Sequence, residues 1–131
     1  PQGNSLVSGT IRENLLMGNP EATEEQMKRA LHIACADYVF ELPGGLDSTI
    51  TERGGGLSEG QAQRIAVARS ILRPGSILIL DEVTSALDEA TEQEMLKRLT
   101  QSLIGKTLIF VTHRPAVMEY CTQVLKIEKP S

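Results

Sequence analysis

A serine three residues ahead of a glutamine at a helix start, two carboxylates at the end of an apolar run, and a histidine at the end of another can together handle a phosphoanhydride. Here they are Ser58 and Gln61 within Leu57-Ser58-Glu59-Gly60-Gln61, Asp81 and Glu82 after Ile77-Leu78-Ile79-Leu80, and His113 after Leu108-Ile109-Phe110-Val111-Thr112. A helix N-terminus offers amide N–H groups and the positive end of its dipole to an anion. Carboxylates at a strand end can hold Mg²⁺ or take a proton from water, and histidine can steady the attack. Their order along the chain is that of a nucleotide hydrolysis site. The sequence contains no Gly-x-x-x-x-Gly-Lys-[Ser/Thr] phosphate cradle. Gly105-Lys106-Thr107 imitates its end, but Thr100 stands where the first glycine belongs, and the triplet precedes a strand pattern instead of following one. Gly105 reads as the end of the preceding helix.

The elements that must position these groups fall into two halves. Up to about Leu72 the pattern is helical with loops. A short helix over 10–17 is closed by Gly18 and Pro20. Thr23 and Gln26 then make a capping box for a helix whose apolar positions Met27, Ala30, Leu31, Ala34 and Cys35 lie three and four apart. Tyr38, Val39, Phe40 and Leu42 extend that surface until Pro43-Gly44-Gly45 turns the chain. Ser58 opens a helix that runs to Leu72 and stops at Pro74-Gly75. From Ile77 onward strands and helices alternate. A strand over 77–80 has the unbroken apolar run of a parallel sheet covered on both faces. A helix follows, capped by Asp88, with Leu96 and Leu99 on its inner face. A strand over 107–111, a short helical stretch over 116–120 and a strand over 123–127 complete the pattern. The expectation is an α/β fold in two parts, 1–75 and 76–131, with further strands supplied from outside the sequence.

Composition sets the limits. The 131 residues, 40% hydrophobic and 23% charged, suffice for one compact unit or part of one, and no apolar run approaches the roughly 20 residues that cross a bilayer. A formal charge of −4 without a basic run gives no electrostatic footing for nucleic acid, so no nucleic-acid partner is expected. Two cysteines, Cys35 and Cys121, make no disulfide framework, and with His32 and His113 they lack the paired spacing of zinc ligands. Cys35 is expected to be a buried apolar side chain in a reducing cytoplasm.

Taken together, Leu57-Ser58-Glu59-Gly60-Gln61 with Arg64 and the small-residue helix Ile65-Ala66-Val67-Ala68-Arg69 closely resembles the signature motif of ATP-binding cassette (ABC) ATPases. Ile77-Leu78-Ile79-Leu80-Asp81-Glu82 resembles the Walker B motif, Ser85-Ala86-Leu87-Asp88 the D-loop, and His113 the switch histidine. Pro1-Gln2 resembles the end of the Q-loop strand, and Thr51-Glu52-Arg53-Gly54 the loop by which exporter-type members touch their membrane domains. Glu59 departs from the pattern, which more often has glycine there. The resemblance implies a partial P-loop NTPase fold, running from Q-loop to switch histidine without the Walker A half. It also implies ATP and Mg²⁺. Asp81 and Gln2 would hold Mg²⁺ through water, and Glu82 would polarise the attacking water. His113 would contact the γ-phosphate, while Ser58, Gly60, Gln61 and Asp88 would serve nucleotide across a head-to-tail dimer. A transmembrane transport domain would be the other partner, placing the chain at the cytoplasmic face of a membrane.

Two other classes remain open at this point. A soluble ABC ATPase of DNA maintenance or translation would carry the same motifs, with coiled-coil sequence where a transporter has membrane spans. A non-catalytic interaction module would use the helical surface after losing nucleotide chemistry, against which stand the intact Asp81, Glu82 and His113. The missing cradle implies that these 131 residues bind ATP weakly or not at all by themselves.

Overall fold

The computed structural model describes residues 6–51 and 56–125. Its N-terminal half is built on helix caps. Thr10 and Glu13 form a reciprocal capping box that starts α1 (Ile11–Leu16), directly after β1 (Gly9–Thr10). Thr23 and Gln26 do the same for α2 (Glu24–Ile33), as their spacing predicts. The chain then passes through short 3₁₀ turns over Asp37–Glu41 and Gly45–Asp47 to β2 (Thr49–Ile50), which pairs antiparallel with β1. These two-residue strands lie within the half read as helical. Asn14, fully buried, ties the entering chain to α1: it donates to the carbonyls of Val7 and Thr10 and accepts from the Val7 amide at 2.9 Å.

α3 (Glu59–Leu72) is the central element, with Ile65, Ala66, Val67, Ala68 and Ile71 all buried. It packs against α1, α2 and β3 (Ile77–Asp81), so it has no wholly solvent face, which is why its small residues run without amphipathic spacing. β3 pairs in parallel with β4 (Thr107–Val111), Ile77 opposite Thr107 and Asp81 opposite Val111. α4 (Glu89–Ser102) makes the crossover and buries Met95, Leu96 and Leu99. Arg98 joins α4 to the helical half, donating to the His32 carbonyl at 2.7 Å and to Asp37 at 3.1 Å.

Three expectations are corrected. Cys35 does not continue α2: it follows the end of the helix in the left-handed region (φ 60°) and is half-buried, because the chain must turn there toward Tyr38. Among the described residues the parallel β3–β4 pair is covered on one face only. Leu78 and Leu80 point inward, while Ile77 and Ile79 are 62% and 61% exposed. The segment over 123–125 is not a strand, since no partner pairs with it among the described residues, and 126–131 lie outside them. The short helical stretch appears as α5 (Pro115–Met118), and Gly105, at φ 91°, sits in the turn from α4 to β4.

Candidate functional site

The residues singled out by the sequence occupy three connected places. The first is the head of α3. Ser58 is its N-cap: the hydroxyl accepts from the Gln61 amide at 3.0 Å, and the Gln61 side chain accepts from the Ser58 amide at 3.0 Å. The serine thus uses a lone pair for capping and keeps its hydroxyl proton for another acceptor. Glu59 and Ser58 are both exposed in this first turn. Gly60 faces inward, where an added Cβ would lie 2.8 Å from the Ala86 carbonyl oxygen, so this turn accepts no side chain without moving. Tyr38 and Arg64 brace the turn from behind. The Tyr38 hydroxyl donates to the Gln61 carbonyl at 2.6 Å, and burial pushes the phenol pKa up, which keeps it a donor. Arg64 lies over the Tyr38 ring at 5.3 Å and donates to the carbonyls of Gly60 and Cys35, both at 3.1 Å.

The second place is the C-terminal end of the parallel strands, where open α/β sheets present ligands. Asp81 is the last residue of β3 and exposed. Glu82 follows in the left-handed region at φ 53°, an uncommon conformation for a residue with a side chain. Its amide donates to the Val111 carbonyl at 2.8 Å, which holds it against the end of β4. The same register delivers His113, whose Nδ1 lies 3.0 Å from Glu82 Oε1; the imidazole is 84% exposed. Glu82 Oε2 is buried and has no hydrogen-bond partner among the described residues. One carboxylate oxygen is engaged by histidine, and the other is an acceptor without a partner in a place closed to solvent.

The third place is the segment after Glu82. Val83 and Thr84 are buried, and Asp88 caps α4 by accepting from the Thr91 amide at 2.7 Å. That amide and the Thr91 hydroxyl hold the Asp88 carboxyl below its ordinary range.

Gln2 lies outside the described residues, as do Glu52, Arg53 and Gly54 of the exporter-like loop. Ser58 and Gln61 bond to each other and not to the Glu82–His113 pair, so the structure holds two clusters instead of one. Among the described residues no three His, Cys, Asp or Glu side chains group as metal ligands. Mg²⁺ held mainly by phosphates and water needs only one or two protein carboxylates, a requirement the donor set of Asp81 and Glu82 meets.

Sequence reasoning missed the residues that hold these groups. Gln63 reaches from α3 to the segment after Glu82, and Glu92 on α4 binds Arg114, the residue after His113, through both carboxylate oxygens. Arg114 holds the Glu92 carboxyl well below the carboxylate range despite its burial, and Thr84 adds a further hydrogen bond. A charged residue at an inward position of α4, one turn after its cap, was the available signal for Glu92; for Gln63 the sequence offers none.

A family model described as "ABC transporter" matches residues 1–85. Among curated proteins, a putative export ATP-binding/permease protein of Rickettsia bellii is 40% identical over 130 residues, covering 98% of this chain and 22% of its own length. An ATP-dependent lipid A-core flippase of Desulfotalea psychrophila is 39% identical over 125 residues, 95% of this chain and 22% of the relative. Among solved structures, a bacterial Atm1-family ABC exporter with ATP bound superposes with a TM-score of 0.80 at 36% identity, covering 90% of this chain and 21% of that one. The chain therefore spans about a fifth of the length of these relatives.

Proposed function

We propose, for a chain that belongs to the ABC transporter family, that it is the Q-loop-to-switch portion of an exporter's ATP-binding domain and hydrolyses MgATP within the whole protein to drive transport. The observation that carries this is the Glu82–His113 pair at 3.0 Å, set at the end of two parallel strands. The division into 1–75, the Q-loop and helical part, and 76–131, the α/β part with Walker B, D-loop and switch, is the organisation this function requires.

Glu82 takes the proton of a water as the water oxygen bonds to the γ-phosphorus and the bond to the β-phosphate oxygen breaks. His113 holds Glu82 Oε1 and, being exposed, is placed to reach a phosphoryl oxygen. Asp81 would hold Mg²⁺ with Gln2, and the ion supplies neutralisation of phosphate charge. Ser58, Gly60 and Gln61, at an exposed helix head away from this pair, suit a γ-phosphate presented by a second ATP-binding domain in head-to-tail contact. Asp88 lies on the segment between the clusters. The exporter names of the relatives favour a transmembrane partner, and a place at the cytoplasmic membrane face, over a DNA-maintenance ATPase or a non-catalytic module. No helix among the described residues is long and apolar enough to cross a membrane.

The test is Glu82→Gln in the full-length protein. Loss of a general base lowers steady-state ATP turnover about 100-fold or more while MgATP still binds. Wild-type turnover in this variant would sink the assignment.

A further inference from the structure

We infer that Gln63 is a positioning residue for hydrolysis: its carboxamide holds the backbone of Glu82 and the turn after it, so that the head of α3 and the water-activating carboxylate move as one body. The inference rests on Glu82 being the base. Gln63 Nε2 donates to the Glu82 carbonyl at 3.1 Å and to Ser85 Oγ at 3.0 Å, and its Oε1 accepts from the Ala86 amide at 3.1 Å. A carboxamide is the side chain that gives a donor and an acceptor from one planar group, which is what a carbonyl and an amide four residues apart in a tight turn require.

Glu82 needs such a hold. A non-glycine residue at φ 53° persists only where its surroundings over-determine it. Here the Val111 carbonyl fixes its amide and Gln63 fixes its carbonyl, so both peptide groups flanking the left-handed residue are clamped. The Ser85 amide also donates to that carbonyl, but at a long 3.4 Å. The same helix meets the same turn one helical turn earlier, where Gly60 packs against the Ala86 carbonyl too closely for a Cβ. Two contacts from α3 to one five-residue turn leave little freedom for the helix head to shift without carrying Glu82 along. A displacement at Ser58, the first residue of that head, is thereby converted into a displacement of the carboxylate. A general base displaced by about 1 Å loses most of its advantage, so this link makes hydrolysis depend on what Ser58 contacts.

The experiment compares Gln63→Ala, Gln63→Glu and Glu82→Gln in the full-length transporter reconstituted in lipid. It measures ATPase kinetics and amide deuterium exchange. Glu at position 63 keeps the size and the acceptor and loses the donor to the Glu82 carbonyl, so it carries the test if the alanine variant fails to fold. Both Gln63 variants are expected to lower kcat about tenfold or more with KM for MgATP within about twofold. Exchange over residues 83–87 should quicken about tenfold while α3 keeps its protection. Either readout staying at the wild-type value overturns the inference, as does loss of protection along the whole of α3 together with a raised KM. If Glu82→Gln is inactive and the Gln63 variants are normal, only the coupling fails. If Glu82→Gln turns over ATP at the wild-type rate, the base assignment itself fails.

Discussion

Glu92 is a charge with almost no access to water, its side chain 1% exposed, and its partner Arg114 keeps about a third of its surface in solvent at 32%. Removing a buried carboxylate's partner, or the carboxylate itself, costs more than a surface pair because the remaining group loses its hydrogen bonds as well as its charge. Arg114 can turn to water, which lowers the cost. Glu92→Gln is therefore expected to destabilise the ATP-binding domain by about 2 kcal/mol at pH 7. The pH dependence has a definite sign. Because Arg114 lowers the folded-state pKa, the stabilisation is fully present above the unfolded carboxylate value of about 4.3 and is lost as pH falls through the folded value. Urea titrations of the two forms should show a gap that is constant from pH 7 to about 5 and closes below about 4. A gap that does not change with pH would show that the charge plays no part. The consequence is local: Arg114 follows His113, and its own amide is held by Thr112 Oγ1 at 3.0 Å, so loosening the Arg114 side chain loosens the segment that carries His113.

At the level of elements, the junction between α3 and the turn after β3 sets two effects against each other at Gly60. Alanine is the better helix former by about 1 kcal/mol, so propensity alone favours Gly60→Ala. The new Cβ, however, would sit 2.8 Å from a backbone carbonyl oxygen that is itself held in a tight turn. Overpacking of that kind costs about 1–3 kcal/mol, and it wins. The expected outcome is a net loss of about 1 kcal/mol, read as a lower Tm of the ATP-binding domain. A raised Tm would mean that the junction yields easily, and α3 would then be a poor lever on Glu82. The caps at Thr10, Thr23 and Ser58 belong to the same scale, each satisfying backbone donors that a helix start leaves open.

For the whole molecule the decisive feature is the bare face of the parallel sheet. Ile77 and Ile79 alternate with buried Leu78 and Leu80, Ile109 and Val111 with half-buried Leu108 and Phe110, and the four are 62%, 61%, 43% and 49% exposed. Contiguous apolar surface of this kind, on a sheet with two strands among the described residues, drives association. The 131 residues by themselves are expected to sediment as a mixture of self-associated species, and Ile79→Lys with Ile109→Lys should shift that mixture toward monomer. A monodisperse monomer with a cooperative melt would overturn this. Nucleotide affinity belongs to the same scale, since the sequence contains no phosphate cradle. Calorimetry on the 131 residues should find no saturable MgATP binding in the micromolar range, and a micromolar Kd would overturn that expectation.

Wherever neighbours along the chain settled the outcome, the sequence was sufficient. Ser58 with Gln61 and Thr23 with Gln26 form their capping boxes, Asp88 caps α4, and Ile77–Asp81 is a strand that ends on Asp81 with Glu82 directly after it. These rest on hydrogen bonds within one turn or on a local pattern of burial. What distant segments decide was not legible. The apolar run at β3 reads the same whether one face or both are covered, and Cys35 fits a helical spacing although α2 ends two residues before it. Only the folded chain could bring His113 onto Glu82 Oε1, 31 positions away. The same holds for the Gln63 carboxamide beneath a left-handed glutamate and for Glu92 against Arg114. The physical reason is that side-chain polarity states what a residue can bond to, while the partner is chosen by the packing of elements that the residue does not belong to.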